Sequence, residues 1–505
     1  MKRFTTFLLT LGLILPMLML SSRTMAQGQT DQLKKEQDTL KEHVSTLGDK
    51  ISGVEDRLAT AEADLAKLTK IKISGYVQAQ WQHFEAANAY PNNYLTIRRA
   101  RFKLQYEPAQ GVAFVLQPDF QPSNFVIKEA YAKLNAPFSK TFSLWVGKFN
   151  RPNYEVEYSS SDLEALERSR VITTLYPGEY AIGAKLEVTP PSIPLKFQLA
   201  MFNGNDGLTI ADATGANINP DNKDFDNYKD LMARLTYGFK FGKWGALTID
   251  AHGYYGFLKA TTDTVLKSDY TKDKAVKVGS ALNRNWFGVE AQFYADVLGG
   301  LIVKGEYIMG ANAFPGYSAT TTATATSQAF NKTNDTLTIT TTTTKTTNVR
   351  PNITRNFSGY YVYVIKNIGK RNQFTFRYDH FDPNTKLAGT DLGVIGYSAS
   401  PATKTTTYTV GKGSSLVNNV VNKTVVSNSY TSGLSDLAYS QISLCWTYFF
   451  DDNIKISLAY DIPMNEKTTA KKITSSYTVN NIPGSYDYTN LLKQNVLTLR
   501  IQAKF

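Results

Sequence analysis

The end of the chain shows the feature that most restricts its fold, a strict alternation of apolar and polar side chains. The apolar positions are Leu497, Leu499, Ile501, Ala503 and Phe505. The polar positions between them are Thr498, Arg500, Gln502 and Lys504. Because successive side chains of a strand point to opposite faces, this segment predicts a barrel strand with lipid on one side and an aqueous lumen on the other.

The same alternation recurs along the chain, in segments 99–106, 289–296, 374–379 and 454–460. After the first twenty residues no apolar run of about 18 residues is present, which excludes a transmembrane helix there. A soluble β-sandwich also alternates, but it buries its apolar face in a core. The aromatic residues at the ends of these segments favour membrane girdles instead.

Short and long connections between the predicted strands alternate along the chain. The short ones are Glu107–Gln110, Ala136–Lys140, Thr189–Pro194, Phe241–Trp244, Val297–Gly300, Ile368–Arg371 and Phe450–Asn453. The long ones are Asn150–Gly178, Asn203–Asn227, Leu258–Asn283, Asn312–Ile353, Asp382–Asp436 and Pro463–Asn490. This plan predicts an all-β fold over residues 71–505, a 16-stranded antiparallel transmembrane β-barrel with short periplasmic turns and long outer loops. The Thr-rich stretches near 320–347 and 403–409 are expected to be solvated, mobile surface in those loops.

Residues 1–26 have the organisation of a secretory signal peptide. Lys2 and Arg3 precede an apolar stretch from Phe7 to Leu20, and Thr24-Met25-Ala26 fits a cleavage site. An uncleaved membrane anchor is the alternative, but the apolar run is short for a span. We therefore expect export and cleavage before Gln27.

Residues 27–70 carry apolar positions spaced by four and three, which is typical of a coiled coil. The predicted seam contains Leu40, Val44, Leu47, Ile51, Val54, Leu58 and Leu65. A repeat of this kind needs a partner helix, because a lone helix leaves the seam in water. The sequence thus predicts a periplasmic α-helical coiled coil before the barrel. A single amphipathic helix, lying on the barrel or plugging its lumen, is the alternative.

Several functional classes have little support in the residues. Cys445 is the single cysteine, so neither a disulfide framework nor a cysteine-ligated metal site is available. No phosphate loop, nucleophile elbow or zinc spacing is present, and we expect neither an enzyme nor a cofactor. The formal charge is +12, with three of the basic residues in 1–26. Its spread along exported strands argues against nucleic acid as a partner.

The first part of the predicted barrel, Ile71 to Val188, resembles the phosphate-selective porin O and P family. The blocks that carry the resemblance are Arg98–Arg101, Lys128–Tyr131, Gly147–Pro152, Ser159–Ser161 and Leu166–Arg168. The resemblance implies a trimeric channel whose third loop folds into the pore and whose lumenal basic residues attract anions. The N-terminal coiled coil is an addition to the family pattern.

The charges of the predicted lumen agree with a modest preference for anions such as phosphate. Thirteen basic and eight acidic residues lie on the inferred lumenal face, and a basic ring in a narrow channel concentrates anions. The candidate anion pathway consists of Arg99, Arg101, Lys103, Lys133, Arg151, Arg168, Arg170, Arg234, Arg377 and Arg500.

The third loop differs from the phosphate-selective pattern. Between residues 150 and 178 it has three basic and five acidic residues, whereas phosphate-selective members of the family are rich in lysine there. Its acids either set the selectivity or pair with wall arginines and hold the loop in place. The sequence leaves both interpretations open.

Three functions remain compatible with the residues. The first is a trimeric diffusion channel for small solutes, embedded in outer-membrane lipid and modestly selective for anions. The second is a structural protein whose coiled coil tethers the barrel to the cell wall. The third is a trimeric adhesin that displays its outer loops.

Overall fold

The structure is a computed structural model. It describes residues 27–505 except 87–90, 122–123, 137–138, 140, 153–155, 177–178, 205–223, 225, 297–299, 414–415, 471–472 and 480–481. The predicted signal peptide therefore lies outside the described residues. The chain divides into two compact units, residues 1–71 and 72–505. No helix in the described ranges is long and apolar enough to cross a membrane.

The first unit contains one long helix, α1 (Gln27–Leu68), of 42 residues. Its seam side chains are all exposed, from Leu47 at 56% to Leu40 at 66%. A row of exposed apolar residues at this spacing is compatible with the seam of a coiled-coil helix. The helix is thus present where a helix was expected, and its pairing stays a prediction.

The second unit is built on strands. In chain order they are β1 (Ile71–Phe84), β2 (Asn93–Ala109), β3 (Val112–Gln121), β4 (Asn124–Asn135), β5 (Phe142–Asn150), β6 (Tyr180–Val188), β7 (Leu195–Phe202), β8 (Asp230–Lys240), β9 (Gly245–Lys259), β10 (Thr264–Leu266), β11 (Lys272–Ala275), β12 (Ala281–Ala295), β13 (Leu301–Phe314), β14 (Tyr317–Asn331), β15 (Thr336–Arg350), β16 (Asn352–Ile368), β17 (Asn372–Asp382), β18 (Gly396–Gly413), β19 (Leu416–Thr431), β20 (Tyr439–Phe449), β21 (Ile454–Asn465), β22 (Thr474–Val479), β23 (Ile482–Asp487) and β24 (Val496–Lys504). A short helix α2 (Arg170–Leu175) lies between β5 and β6, and a 3₁₀ turn (Leu434–Asp436) precedes β20.

Sixteen of these strands form a closed antiparallel barrel, which confirms the predicted fold class. The barrel strands are β1 to β9, β12, β13, β16, β17, β20, β21 and β24. Pairing of β1 with β24, from Tyr76 opposite Lys504 to Phe84 opposite Val496, closes the ring. Closure removes free sheet edges, which a lipid environment does not tolerate.

The two ends of the barrel differ in the length of their connections. The seven short connections lie where the sequence predicted them, for example between β2 and β3 and between β20 and β21. We call this side the short-turn end and the opposite side the long-loop end. Along β12 and β16 exposed and buried residues alternate, as expected for strands with one face toward lipid.

The Thr-rich stretches, which the sequence predicted as solvated, mobile loop surface, form regular strands. Strands β14, β15, β19 and β18 form a separate four-stranded sheet at the long-loop end, with β15 and β19 running parallel. Thr320 and Thr347 lie opposite each other, and their hydroxyl groups are hydrogen-bonded at 2.9 Å. Threonine is β-branched and favours the extended backbone. A composition typical of solvated loops is therefore compatible with regular strands.

Described parts of three other long loops, 258–283, 382–436 and 463–490, pack with β16 in a small hydrophobic core at the long-loop end. Its members are Leu266, Tyr270, Ile353, Leu387, Leu392, Leu437, Ile473 and Tyr488. Beside it, buried Asp436 accepts hydrogen bonds from Arg355 at 2.7 Å, Tyr270 at 2.7 Å and Asn384 at 2.8 Å. Burial alone would raise the pKa of Asp436, but the charge of Arg355 and these hydrogen bonds keep that pKa below its ordinary value. This contact joins segments from two long connections, Leu258–Asn283 and Asp382–Asp436, with β16.

Candidate functional site

The connection between β5 and β6, the third loop, makes contacts with residues on widely separated strands and therefore lies inside the barrel. Val171, Ile172 and Leu175 of α2 are buried in an apolar cluster with wall residues. The loop hydroxyl of Tyr176 accepts a hydrogen bond from the Trp286 indole at 2.7 Å. Trp286 in turn stacks on Tyr254 with ring centroids 3.8 Å apart. The loop is thus packed against the wall on one side through apolar and aromatic contacts.

On the opposite wall one carboxylate of the loop, Glu167, is held by three arginines. Arg98 contacts it through two N–H groups at 2.8 and 2.9 Å, Arg500 at 2.5 Å and Arg99 at 3.2 Å. Arg98 and Arg99 lie on β2 and Arg500 on β24. Burial alone would raise the pKa of Glu167, but Arg99, Arg500 and Arg98 hold that pKa far below its ordinary value.

A second loop carboxylate, Glu157, is completely buried. Its oxygens accept hydrogen bonds from the backbone N–H and the hydroxyl of Ser169, both at 2.9 Å, and from the Tyr363 hydroxyl. The Arg377 guanidinium lies 3.6 Å away and also contacts Asp379 at 3.0 Å. Because Ser169 directly precedes α2, this network positions the helix.

A third contact fixes the loop to β12 and β13. Lys304 donates to Glu164 at 2.7 Å and to the Val156 carbonyl at 3.2 Å, while the Val156 N–H donates to Glu290 at 2.8 Å. The described acids of the loop thus pair with basic wall residues. Of the two interpretations that the sequence left open, the geometry matches the one in which these pairs hold the loop.

The predicted pathway residues of the loop itself also serve as braces. Arg168 donates to the carbonyls of Glu157 at 2.8 Å and Tyr158 at 2.9 Å, and it contacts Glu179 at 2.5 Å. Arg151 donates to the Tyr180 carbonyl at 3.3 Å. Arg170 is different, because its exposed guanidinium stacks over the Tyr439 ring at 3.9 Å.

Two further predicted arginines are buried in the wall. Arg101 contacts Asp119 at 3.0 Å and the loop hydroxyl of Ser160 at 2.7 Å. Arg234 contacts Asp250 at 2.6 Å and lies 3.5 Å from Glu290. A buried guanidinium with carboxylates on it offers little charge to a passing ion.

The predicted lysines have a different setting, on the wall formed by β2 to β7. Lys103 is 29% exposed and pairs with Glu129 at 2.7 Å. Lys133 is 32% exposed, 3.9 Å from Glu187, and 4.8 Å from the centre of the Trp145 ring. Lys185 lies over the same ring at 3.8 Å. The Trp145 ring thus carries two ammonium groups, an arrangement stabilised by cation–π attraction.

The structure brings Arg99, Arg168, Arg377 and Arg500 together around the third loop, and it separates them from the lysines of the β2–β7 wall. Sequence reasoning missed two participants. Arg98 was left out because strict alternation places it on the lipid side of β2, yet it reaches Glu167. The apolar face of α2 was also missed, although its closely spaced apolar residues were a visible signal. Across the described residues no group of three or more His, Cys, Asp or Glu side chains suits a metal ion.

A closed 16-stranded barrel with an inward-folded third loop is the architecture of a porin. The sequence model of the family described as phosphate-selective porin O and P matches residues 71–412. The chain belongs to this family, which places it in the outer membrane as a channel. A search of curated protein sequences gave no match.

Solved structures with a similar fold include the trimer form of OmpT, an outer membrane protein of Vibrio cholerae. It has 10% sequence identity and a TM-score of 0.43, over 86% of this chain and 99% of that chain. An anion-selective porin from Comamonas acidovorans has 11% identity and a TM-score of 0.45, with the same coverage. The outer membrane channel DcaP of Acinetobacter baumannii has 12% identity and a TM-score of 0.44, over 86% of this chain and 97% of that chain.

Proposed function

We propose that this porin is a diffusion channel for small solutes with a modest preference for anions such as phosphate. The observation that carries the proposal is the separation of the charged groups into two sets. Most arginines of the lumen are paired with carboxylates of the wall and the third loop, namely Arg98, Arg99, Arg101, Arg234, Arg377 and Arg500. On the β2–β7 wall, Lys103 and Lys133 keep about a third of their side-chain surface accessible, while Lys185 is buried against the Trp145 ring.

The lysine wall has a small excess of positive charge. Lys103, Lys133, Lys185 and Lys196 are accompanied there by two acids, Glu129 and Glu187. In a narrow, partly dry channel such an excess acts strongly on small ions, whereas in a wide pore it is screened beyond about 8–10 Å. Because the nearby acids offset part of the charge, the preference is modest.

The test is the reversal potential of single channels in a KCl gradient. The wild-type channel should favour chloride, and the triple variant Lys103→Ala, Lys133→Ala, Lys185→Ala should shift the potential toward potassium. A matched control replaces three lysines of the Thr-rich sheet and its connecting turn, Lys332, Lys345 and Lys423, with Ala. An anion preference that survives the loss of the three wall lysines, or a cation-selective wild type, would contradict the proposal.

In the orientation that we propose, the short-turn end and α1 lie in the periplasm, and the long-loop end lies outside the cell. Porins carry short turns on the periplasmic side and long loops on the outer side. α1 precedes β1 directly, and β1 begins at the same end as the short turns. We therefore propose that the helix lies in the periplasm.

We further propose that the channel is a homotrimer whose α1 helices associate through the apolar seam. The support is the row of exposed apolar residues on α1, since a seam with this repeat is stable only when helices pair. The trimer form of OmpT agrees with this stoichiometry. Native mass measurement of the mature protein tests it, and a monomer would end the proposal.

A further inference from the structure

The outward face of β12, β13, β16 and β17 carries a cross-strand row of one apolar and three aromatic residues near the middle of β12, β13 and β16. Strand register places these residues side by side across the four strands: Val289, Tyr307, Tyr360 and His380. The Tyr360 ring also contacts the rings of Tyr378 and His380, at 5.9 and 5.5 Å.

Directly above this row, toward the long-loop end, the outward surface is hollow. The groove has a volume of about 870 Å³. Its walls and floor include Asn285, Phe287, Met309, Ala311, Asn356 and Ser358. Phe287, Met309 and Ser358 are one register step above the tyrosines, and Asn285, Ala311 and Asn356 are two steps above, at about 6.6–6.8 Å per step. The groove thus changes from apolar to polar as it leaves the membrane.

A second cavity, of about 340 Å³, adjoins the top of the groove, and both are lined by Asn356 and Lys386. Two other lysines, Lys267 and Lys274, line this cavity together with Asp269 and Asp273. Asp269 is occupied by the Thr271 hydroxyl at 2.6 Å and the Thr271 N–H at 3.0 Å. Within the described part of the chain, no carboxylate pairs with any of the three ammonium groups.

The backbone of Asn356 positions the segments that bear these lysines. Its N–H donates to the Ser268 hydroxyl at 2.6 Å, and its carbonyl accepts from the Thr385 N–H at 2.9 Å. Lys267 and Lys386 are the sequence neighbours of those two residues. The Asn384 amide bonds the Ser268 carbonyl at 2.9 Å and the buried Asp436 at 2.8 Å. The basic cavity is therefore held in shape before any ligand arrives.

From this geometry we infer a binding site for an outer-leaflet lipid that carries phosphate on its headgroup. The acyl chain lies in the groove against Phe287 and Met309, and the phosphate lies in the cavity among Lys267, Lys274 and Lys386. The three lysines outnumber the two aspartates, and ammonium groups bind phosphate through charge-assisted hydrogen bonds. The site rests on the proposed orientation, in which the long-loop end faces outward.

The continuity of groove and cavity favours a lipid over free phosphate. A free anion would use the cavity alone and leave the apolar groove below it without a role. A lipid places its charged and apolar parts at the two heights where the protein provides matching surfaces. Because the groove opens toward the bilayer, lipid reaches it by lateral diffusion.

The experiment is native mass spectrometry of the delipidated full-length protein, titrated with a bisphosphorylated hexaacyl glucosamine disaccharide. The variant Lys267→Ala, Lys274→Ala, Lys386→Ala should bind this lipid about tenfold more weakly or worse, since it loses three charge-assisted contacts. Removal of the two phosphates from the probe should weaken binding to the wild type by a similar factor. The control variant Lys332→Ala, Lys345→Ala, Lys423→Ala should bind like the wild type.

A second variant tests the groove without touching the charges. Ser358→Phe places a bulky apolar group in the groove on a face that already contacts lipid, so the barrel should still fold. It should weaken binding of the acylated probe, and the control Ala291→Phe, on the outward face of β12, should not. Equal affinity of the triple-lysine variant and the wild type would overturn the inference. So would equal affinity for both forms of the probe, or effective competition by inorganic phosphate at the concentration of the lipid.

Discussion

The contact between Glu167 and its three arginines offers the sharpest test of how the third loop is held. The substitution Glu167→Gln keeps the size of the side chain and removes its charge. Arg99 and Arg500 are each only 4% exposed and would lose their carboxylate. We expect the loop to detach from the β2 and β24 wall more often, and the start of α2, three residues after Glu167, to open with it.

The size of this effect follows from the burial of the partners. Removal of one member of a buried charged pair costs about 3–5 kcal/mol, but the Glu167 side chain is 35% exposed. We therefore expect about 2–3 kcal/mol, in the range of hydrogen bonds to charged groups. At about 1.4 kcal/mol per factor of ten, the detached state becomes about 30- to 150-fold more populated.

Hydrogen exchange measures this population at the backbone amides of Ser169 and Thr173, which are bonded within the loop. Their exchange should accelerate by the same factor when reclosing is faster than exchange. The control is Glu107→Gln, which breaks an exposed pair with Lys72 at 3.0 Å and should cost about 0–1 kcal/mol. Unchanged exchange in Glu167→Gln, or an equal change in the control, would refute the structural role of the contact.

Four further predictions follow from the same structure. Because the folded-state pKa of Glu167 is lowered, its contribution to stability is present above its unfolded pKa of about 4.3 and is lost as the pH falls through the folded value; the protection factors of the loop amides, which correct exchange for its intrinsic pH dependence, should thus be constant from pH 7 to pH 5. Asp436→Asn should loosen the packed loops at the long-loop end and raise protease cleavage there, with the barrel intact by circular dichroism. A tag inserted near Thr341 should be labelled on intact cells, and labelling of a tag near Pro108 instead would reverse the orientation. Deletion of Gln27–Lys70 should weaken the oligomer, seen as monomers in native mass measurement, while the barrel still folds.

The strands of this protein could be predicted because each strand of a membrane barrel alternates apolar and polar side chains. Leu499 and Ile501 face lipid and Arg500 faces the lumen, since every second side chain meets a different solvent. The Thr-rich strands could not be predicted from alternation. Both faces of that sheet meet water, so residues such as Thr342 and Thr343 show no alternation. Only the pairing of β15 with β14 and β19 reveals their structure.

The contact partners of the lumenal arginines could not be predicted from the sequence alone. Alternation identifies Arg99, Arg377 and Arg500 as lumenal, but it says nothing about what stands opposite them. Their partners are Glu157 and Glu167. Along the chain, Glu167 is 68 positions from Arg99 and 333 positions from Arg500. These residues meet only because the third loop folds inward. In the structure these three arginines contact the third loop, whereas Lys103 and Lys133 of the β2–β7 wall stay partly exposed. The anion pathway itself stays a prediction.

By itself the sequence determined the barrel, its strand number, the position of its turns and the helix before it. These properties depend on local periodicity and on the solvent that each side chain meets, and both are encoded within a few residues. Tertiary structure alone decided the course of the third loop, the pairing of Glu167 with three arginines and the outward groove beside Lys386. Each of these depends on contacts between distant segments, because the charge and shape of a site are sums over neighbours that sequence order does not reveal.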